Sequence, residues 1–217
     1  VRTALEELNP HVAAKKIEDF YTIDLSRTYI QLIRDRIQTI SGKNKQAAID
    51  TLYTCTFNLL LCISPFVPFL SEDLYLKYFK NNQKSESIFL LEYPRADKKK
   101  INIELEKEFE IAQKVIQCAL YTREKGALGV RWPLSKIIID LGEKNQEIMK
   151  FSDIFSSVLN IKEIIFEAGT KQKNHIDLTS NKVEELGIIY LDLKLNSELE
   201  EEGFSREIIR RIQNLIK

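Results

Sequence analysis

From Asn9 to Ile40 the chain carries no glycine, and its single proline in that stretch, Pro10, stands where a helix can begin. A proline ring holds φ near the helical value, and at a first-turn position its missing N–H costs nothing. Asn9 before it is a suitable N-cap. The stretch therefore predicts a helical start. Ile17, Phe20 and Tyr21 fall at helical spacing, and Ile30, Ile33, Ile37 and Ile40 make a second apolar stripe. Around Ile23-Asp24-Leu25-Ser26 the chain either continues as helix or kinks, with Asp24 or Ser26 as a new cap. Ser41-Gly42 is a C-terminal stop.

A second helix is expected from about Lys45 to Ile63. Its middle, Thr56 to Ile63, reads as a buried bundle helix, too short and too rich in Thr and Asn to span a membrane. Pro65 should end it by pushing Ser64 out of the helical region, and Pro68 should keep the connection non-helical. Ser71 then caps a third helix through Leu74, Tyr75, Tyr78 and Phe79. Ile88-Phe89-Leu90-Leu91 is a short apolar anchor ending at Pro94. Residues 95–103, with Lys98-Lys99-Lys100, read as a boundary. Beyond it the pattern predicts a helix over Glu104–Lys125 and strands over Leu134–Leu141, Ile161–Glu167 and Gly187–Leu195. Further helices are expected over Gln146–Leu159 and Glu198–Lys217, the last open to a break at Gly203. The expected fold is mainly α: a helical bundle over 1–94, then a smaller α+β subdomain over 95–217.

Composition narrows the function. Thirty-two Lys+Arg balance 32 Asp+Glu in 217 residues, which excludes bulk basic binding of nucleic acid but not a local basic face. Seven Gly and five Pro argue against a disordered chain. Three unpatterned Cys fit a reducing compartment, and the chain is expected to be cytoplasmic. Val1 stands where a Met would begin a chain, no leader follows, and the sequence reads as a piece of a longer protein. Catalysis has little to build on. His11 and His175 are far apart, no glycine-rich phosphate loop occurs, and no carboxylate pair stands out. Cys55, Cys62 and Cys118 read as small buried hydrophobes rather than metal ligands.

Binding has more. Arg27, Gln31, Arg34 and Gln38, spaced four, three and four, share one helix face opposite the isoleucine stripe. Guanidinium and amide groups in alternation can bond phosphate oxygens and base edges; the plainer alternative is a solvated face with Asp35 in an ion pair. Arg36, near the apolar stripe, reads as structural. A second candidate is the glycine-hinged segment holding Arg123, Lys125, Arg131 and Trp132, where guanidinium and aromatic groups suit unpaired nucleotides. For Trp132, packing is the competing role. A third is the amphipathic run Ser205–Gln213, with Arg206, Arg210 and Gln213 in register, readable also as a packed helix with a charged outer side.

Several segments together resemble the anticodon-binding region of isoleucyl-tRNA synthetases, in the archaeal and eukaryotic branch. They are Ile23–Ile30 with Ile33–Arg36, Ser64–Glu72, Glu86–Leu90 with Tyr93-Pro94, Val130–Leu134, Leu159–Glu163 and Glu202–Gln213. The resemblance implies a class Ia helical bundle that carries the anticodon arm of isoleucine tRNA, with Arg27, Gln31, Arg34, Gln38, Arg123, Lys125, Arg131 and Trp132 as candidate tRNA contacts. It implies a longer enzyme that joins isoleucine to tRNA using ATP and Mg, with catalytic and editing domains elsewhere in the polypeptide. It implies no catalytic residue, cofactor or metal within these residues and no membrane partner. The rival readings are the same module of a valyl enzyme, or a helical scaffold whose Phe57–Phe69 region docks another protein.

Overall fold

The computed structural model describes residues 1–38, 42–167 and 178–215, with the side chains of Asp35, Gln38 and Lys43 outside that description. The chain divides into two units, Val1–Lys100 and Ile101–Lys217.

In the first unit, α1 (Arg2–Glu6) leads to α2 (Pro10–Asp19), with Pro10 in the first turn and Asn9 at the cap position. The Asn9 side chain makes no capping hydrogen bond. The rod does not kink at Asp24 or Ser26. It continues through a π-helical stretch, Phe20–Tyr29, into α3 (Ile30–Gln38), and the Ile30 N–H bonds the Leu25 carbonyl five residues back. The wider π turn shifts the helical phase. Leu25 and Ile33 are therefore buried, whereas Phe20, Tyr21 and Ile30 are exposed. Ile40 and Ser41 lie outside the described residues.

Next come α4 (Lys43–Ile63) and α5 (Pro68–Tyr78). Several expectations fail here. Ser64 stays in the right-handed helical region, with φ −54° and ψ −34°, since a following proline biases a residue without forbidding helix. Pro68, instead of keeping the connection open, opens α5, for the same reason that Pro10 opens α2. Ser71 is then not a cap but a buried residue inside the helix, and among the described residues its Oγ has no hydrogen-bond partner. Nor is α4 a buried helix. Of its side chains, Ala48, Leu60 and Leu61 are buried, because α2, α3 and α5 cover only part of its circumference. Length alone does not exclude a span, since Asn44–Ile63 has 20 residues and an 18-residue window within it reaches a mean hydropathy of 1.2, a test that the core helix of a soluble protein also passes. The helix nevertheless has a polar stripe. Thr51, Thr54 and Asn58 are exposed and each donates to the carbonyl four residues back, at 2.8 Å. The local core joins Leu60, Leu61, Tyr75, Phe79 and Ile88. Ile88 reaches it because Glu72 accepts from the Ile88 N–H at 3.0 Å and from Ser87 Oγ at 3.1 Å.

The second unit opens with α6 (Ile103–Lys125), capped by Asn102, whose side chain accepts from the Leu105 N–H. Then follow β1 (Leu134–Asp140), α7 (Asn145–Ile148), α8 (Ser152–Leu159), β2 (Ile161–Phe166), β3 (Thr179–Val183), β4 (Gly187–Leu191) and α9 (Ser197–Leu215). The single helix expected before β2 is two, joined by a 3-10 turn. The sheet has four strands in the order β2-β1-β4-β3, with β1 and β2 parallel and the other pairs antiparallel. A parallel pair needs a crossover, which α7 and α8 provide. β3 was not anticipated from sequence. It is an edge strand, Thr-Ser-Asn-Lys-Val, with only Val183 buried. The core packs Ala112, Val115 and Ala119 of α6 and Phe155 and Leu159 of α8 on Ile137, Ile139, Ile189 and Leu191. α9 runs through Gly203 unbroken.

Candidate nucleic-acid interface

The first group lies on the rod of the first unit. Leu25 and Ile33 anchor one side of that rod in the interior. Tyr29 fixes it to α4, its hydroxyl donating to the Ala48 carbonyl at 3.2 Å. Arg27, Gln31 and Arg34 are all exposed on the rod, so the change of pitch leaves them outward. Among the described residues no hydrogen bond or ion pair holds any of the three. Arg36 is exposed too, so burial gives it no structural role. The Gln38 side chain lies outside the description.

The second group, in the second unit, separates into different roles. Arg123 is 1% exposed. Its Nη1 donates to the Leu159 carbonyl at 3.1 Å and its Nη2 to the carbonyls of Gly129, at 2.8 Å, and Trp132. Burial pulls its guanidinium down to about 10, while Nε is buried without a partner among the described residues. Arg123 is thus a strut that closes the loop between α6 and β1, and it has no face left for a phosphate. That corrects its place among the binding candidates. α6 ends two residues beyond it, at Lys125, so the side chain folds back beneath the loop instead of outward. Trp132 is half-buried. A Cβ on Gly203 would come within 2.2 Å of its Cε3, and the Phe204 ring meets it edge-on with centroids 5.1 Å apart. Packing against α9 is its role. Lys125 stays exposed, with Nζ 4.6 Å from the Tyr121 ring centre. Arg131 is exposed and donates from Nη1 to Glu207 at 2.7 Å.

Glu207 was not singled out in the sequence. Besides Arg131 it accepts from Arg210, at 3.0 Å from Nε and 2.6 Å from Nη2, and from Arg211 Nε at 3.2 Å. Arg210 foremost, then Arg211 and Arg131, hold its carboxyl down to about 2. Nearby, Glu202 joins Lys162 at 2.6 Å and Arg206 at 2.7 Å. Asn160, left-handed at the end of α8, donates to the carbonyls of Val130 and Arg131. Three segments noted separately in the sequence, around 130–134, 159–163 and 202–213, therefore meet at one corner. The hint in sequence was the basic spacing of Arg206 and Arg210; the carboxylates that gather them were hidden among many others. Among the described residues no three His, Cys, Asp or Glu side chains cluster as a metal site would require.

Residues 1–138 match the family described as the anticodon-binding domain of tRNA ligase. The chain belongs to that family. Relatives at 29–32% identity carry the name isoleucine–tRNA ligase. That of Dehalococcoides mccartyi is 32% identical over 225 residues, covering 100% of this chain and 22% of the relative. That of Sulfolobus acidocaldarius is 32% identical over 183 residues, 82% of this chain and 17% of the relative. That of Methanopyrus kandleri is 29% identical over 188 residues, 86% of this chain and 17% of the relative. The anticodon-binding chain thus spans about a fifth of the length of these relatives. Their common name favours the isoleucyl reading over the valyl one.

Proposed function

We propose that this chain holds the anticodon arm of an isoleucine tRNA, as one part of a longer isoleucine–tRNA ligase working in the cytoplasm. The observation that carries the reading is the outward ridge of Arg27, Gln31 and Arg34 on a chain of the anticodon-binding family. Guanidinium groups hold phosphates by paired charge-assisted bonds. An amide between them reads base edges in a loop, where bases are unstacked; in an A-form duplex the major-groove edges are out of reach. Lys125 and Arg131 add charge in the second unit, and ATP and Mg²⁺ act in other parts of the longer enzyme.

The apolar surface of the first unit supports a second contact. Phe66, Val67, Phe69 and Leu70 are exposed, Phe69 by 90%. Phe66, Val67 and Leu70 line a groove together with Ile17, Tyr21, Leu59 and Ile63. Surface of this kind docks protein, and the catalytic body of the same polypeptide is the partner this reading names.

The test is binding of an isoleucine anticodon stem-loop, measured by fluorescence anisotropy across a salt series. Affinity falls with salt, and Arg27→Gln with Arg34→Gln lowers the slope of log K against log salt by about 1 to 2 while leaving the melting temperature in place. Equal affinity in the double variant and the parent overturns the assignment.

A further inference from the structure

We propose that Arg131, Arg210 and Arg211, gathered by Glu207 where α9 crosses the loop before β1, form a docking site for the phosphate backbone of the bound RNA. The proposal rests on the RNA-binding reading and adds a second, separately built contact to it.

Charge is the first argument. Three guanidinium groups converge on the Glu207 carboxylate, and Lys162 and Arg206 share Glu202. Within these ion pairs five cations meet two carboxylates, a positive surplus toward the end of α9, while Glu198, Glu200 and Glu201 stand nearer its start. A positive surface placed this way acts on a polyanion regardless of the total. Glu207 offsets the mutual repulsion of the guanidinium groups and sets their positions without neutralising them.

Donor capacity is the second. Each guanidinium has five N–H groups in a planar fork. Arg211 spends only Nε on Glu207 and its side chain is 74% exposed; Arg131 spends only Nη1 and is 57% exposed. Among the described residues their other N–H groups make no bond, and a phosphate takes two such donors side by side.

Rigidity is the third. The cluster is not on a free surface helix. Gly203 lets α9 approach the Trp132 ring, Phe204 packs on that ring's edge, and the Arg131 carbonyl accepts from Asn160 at 3.3 Å. Donors fixed before binding lose less entropy when the ligand arrives. An acidic protein segment is the competing occupant; RNA is favoured because Arg131, which shares Glu207 with α9, lies within residues 1–138 that match the anticodon-binding family.

The test uses the whole chain and the isoleucine anticodon stem-loop as probe, over a salt series, with a melting curve for each variant. Arg210→Gln with Arg211→Gln weakens binding several-fold at low salt and lowers the salt slope by about 1 to 2. Arg210→Lys with Arg211→Lys keeps the slope, because a phosphate contact needs the charge. Arg211→Glu, at the most exposed of the three, weakens binding further with no loss of melting temperature. Binding by the parent with an unchanged slope in the Gln pair, while Arg27→Gln and Arg34→Gln still weaken it, overturns the proposal and leaves the cluster as a clasp for α9 or a seat for acidic protein. No binding by the parent overturns the RNA reading itself, and this site with it.

Discussion

A buried guanidinium without a carboxylate is the sharpest residue-scale feature of this chain. Arg123 takes hydrogen bonds to three backbone carbonyls in place of a counter-ion. Its removal orphans those carbonyls in the interior, and orphaned polar groups cost far more than the net worth of a bond. Arg123→Ala should lower the stability of the second unit by about 3 kcal/mol. Urea unfolding followed through Trp132, the only tryptophan, measures it. A loss below about 1 kcal/mol, the level of an ordinary exposed substitution, would mean that Arg123 is not the strut. Arg34 is the contrast. It lies on an exposed helical face and holds no partner among the described residues, so its loss should touch binding and leave stability alone. The sequence placed both arginines among the binding candidates. It could not separate them, because the chemistry of the side chain is the same and only its direction differs.

At the scale of elements, α9 is tied to β2 through Glu202 and Lys162 and to the loop before β1 through Glu207 and Arg131. Glu207 makes the tie to Arg131, and its carboxyl lies at about 2, below the ordinary 4.5, with Arg210 of its own helix as the largest cause. A carboxylate whose folded value lies below its unfolded value stabilises fully above the unfolded value. That contribution disappears as pH falls through the folded one. The tie should therefore be complete above pH 4.5 and weaken down to pH 2. Trp132 fluorescence, which reports the α9 contact, should shift over that range in the parent. Glu207→Gln should remove that part of the titration; an identical acid curve in both proteins would show that Glu207 does not hold α9. The longer helices and three of the strands were legible from apolar periodicity and from the Asn, Pro and Gly signals at their ends, whereas α1 was missed and α7 and α8 were read as one helix. β3 was not, since a polar edge strand bears no apolar signature and exists through its pairing with Ile188 and Ile189 of β4. The π stretch was equally hidden, because its extra residue per turn leaves helical spacing intact over any short window.

For the whole molecule, the two units differ in how they are held. The second has a continuous core between α6, α8 and the sheet. The first has a small cluster under α4 and α5 and much apolar surface in the open. Burial of apolar area supplies most of the free energy of folding, so the units should not open together. Native-state hydrogen exchange on the full chain should find α4 and α5 opening at lower free energy than α6 and β1. Equal protection across both units would refute separate stabilities. The half-buried apolar surface of α4 is also where reading the sequence misled: in the run from Thr56 to Ile63 Leu60 and Leu61 are buried and the other apolar side chains are only partly covered, because an apolar run says that a surface is apolar, never which partner covers it.

What the sequence determined alone was local. Proline and asparagine at helix starts, and polar residues at steps of three and four, act over a turn or two of chain, and they set the rod and the outward ridge of Arg27, Gln31 and Arg34. Tertiary structure decided whatever joins distant residues. Arg123 meets Leu159 across 36 positions and Arg131 meets Glu207 across 76. Whether a guanidinium ends in the interior or in solvent depends on which carbonyl or carboxylate the fold brings beside it, and no local pattern carries that.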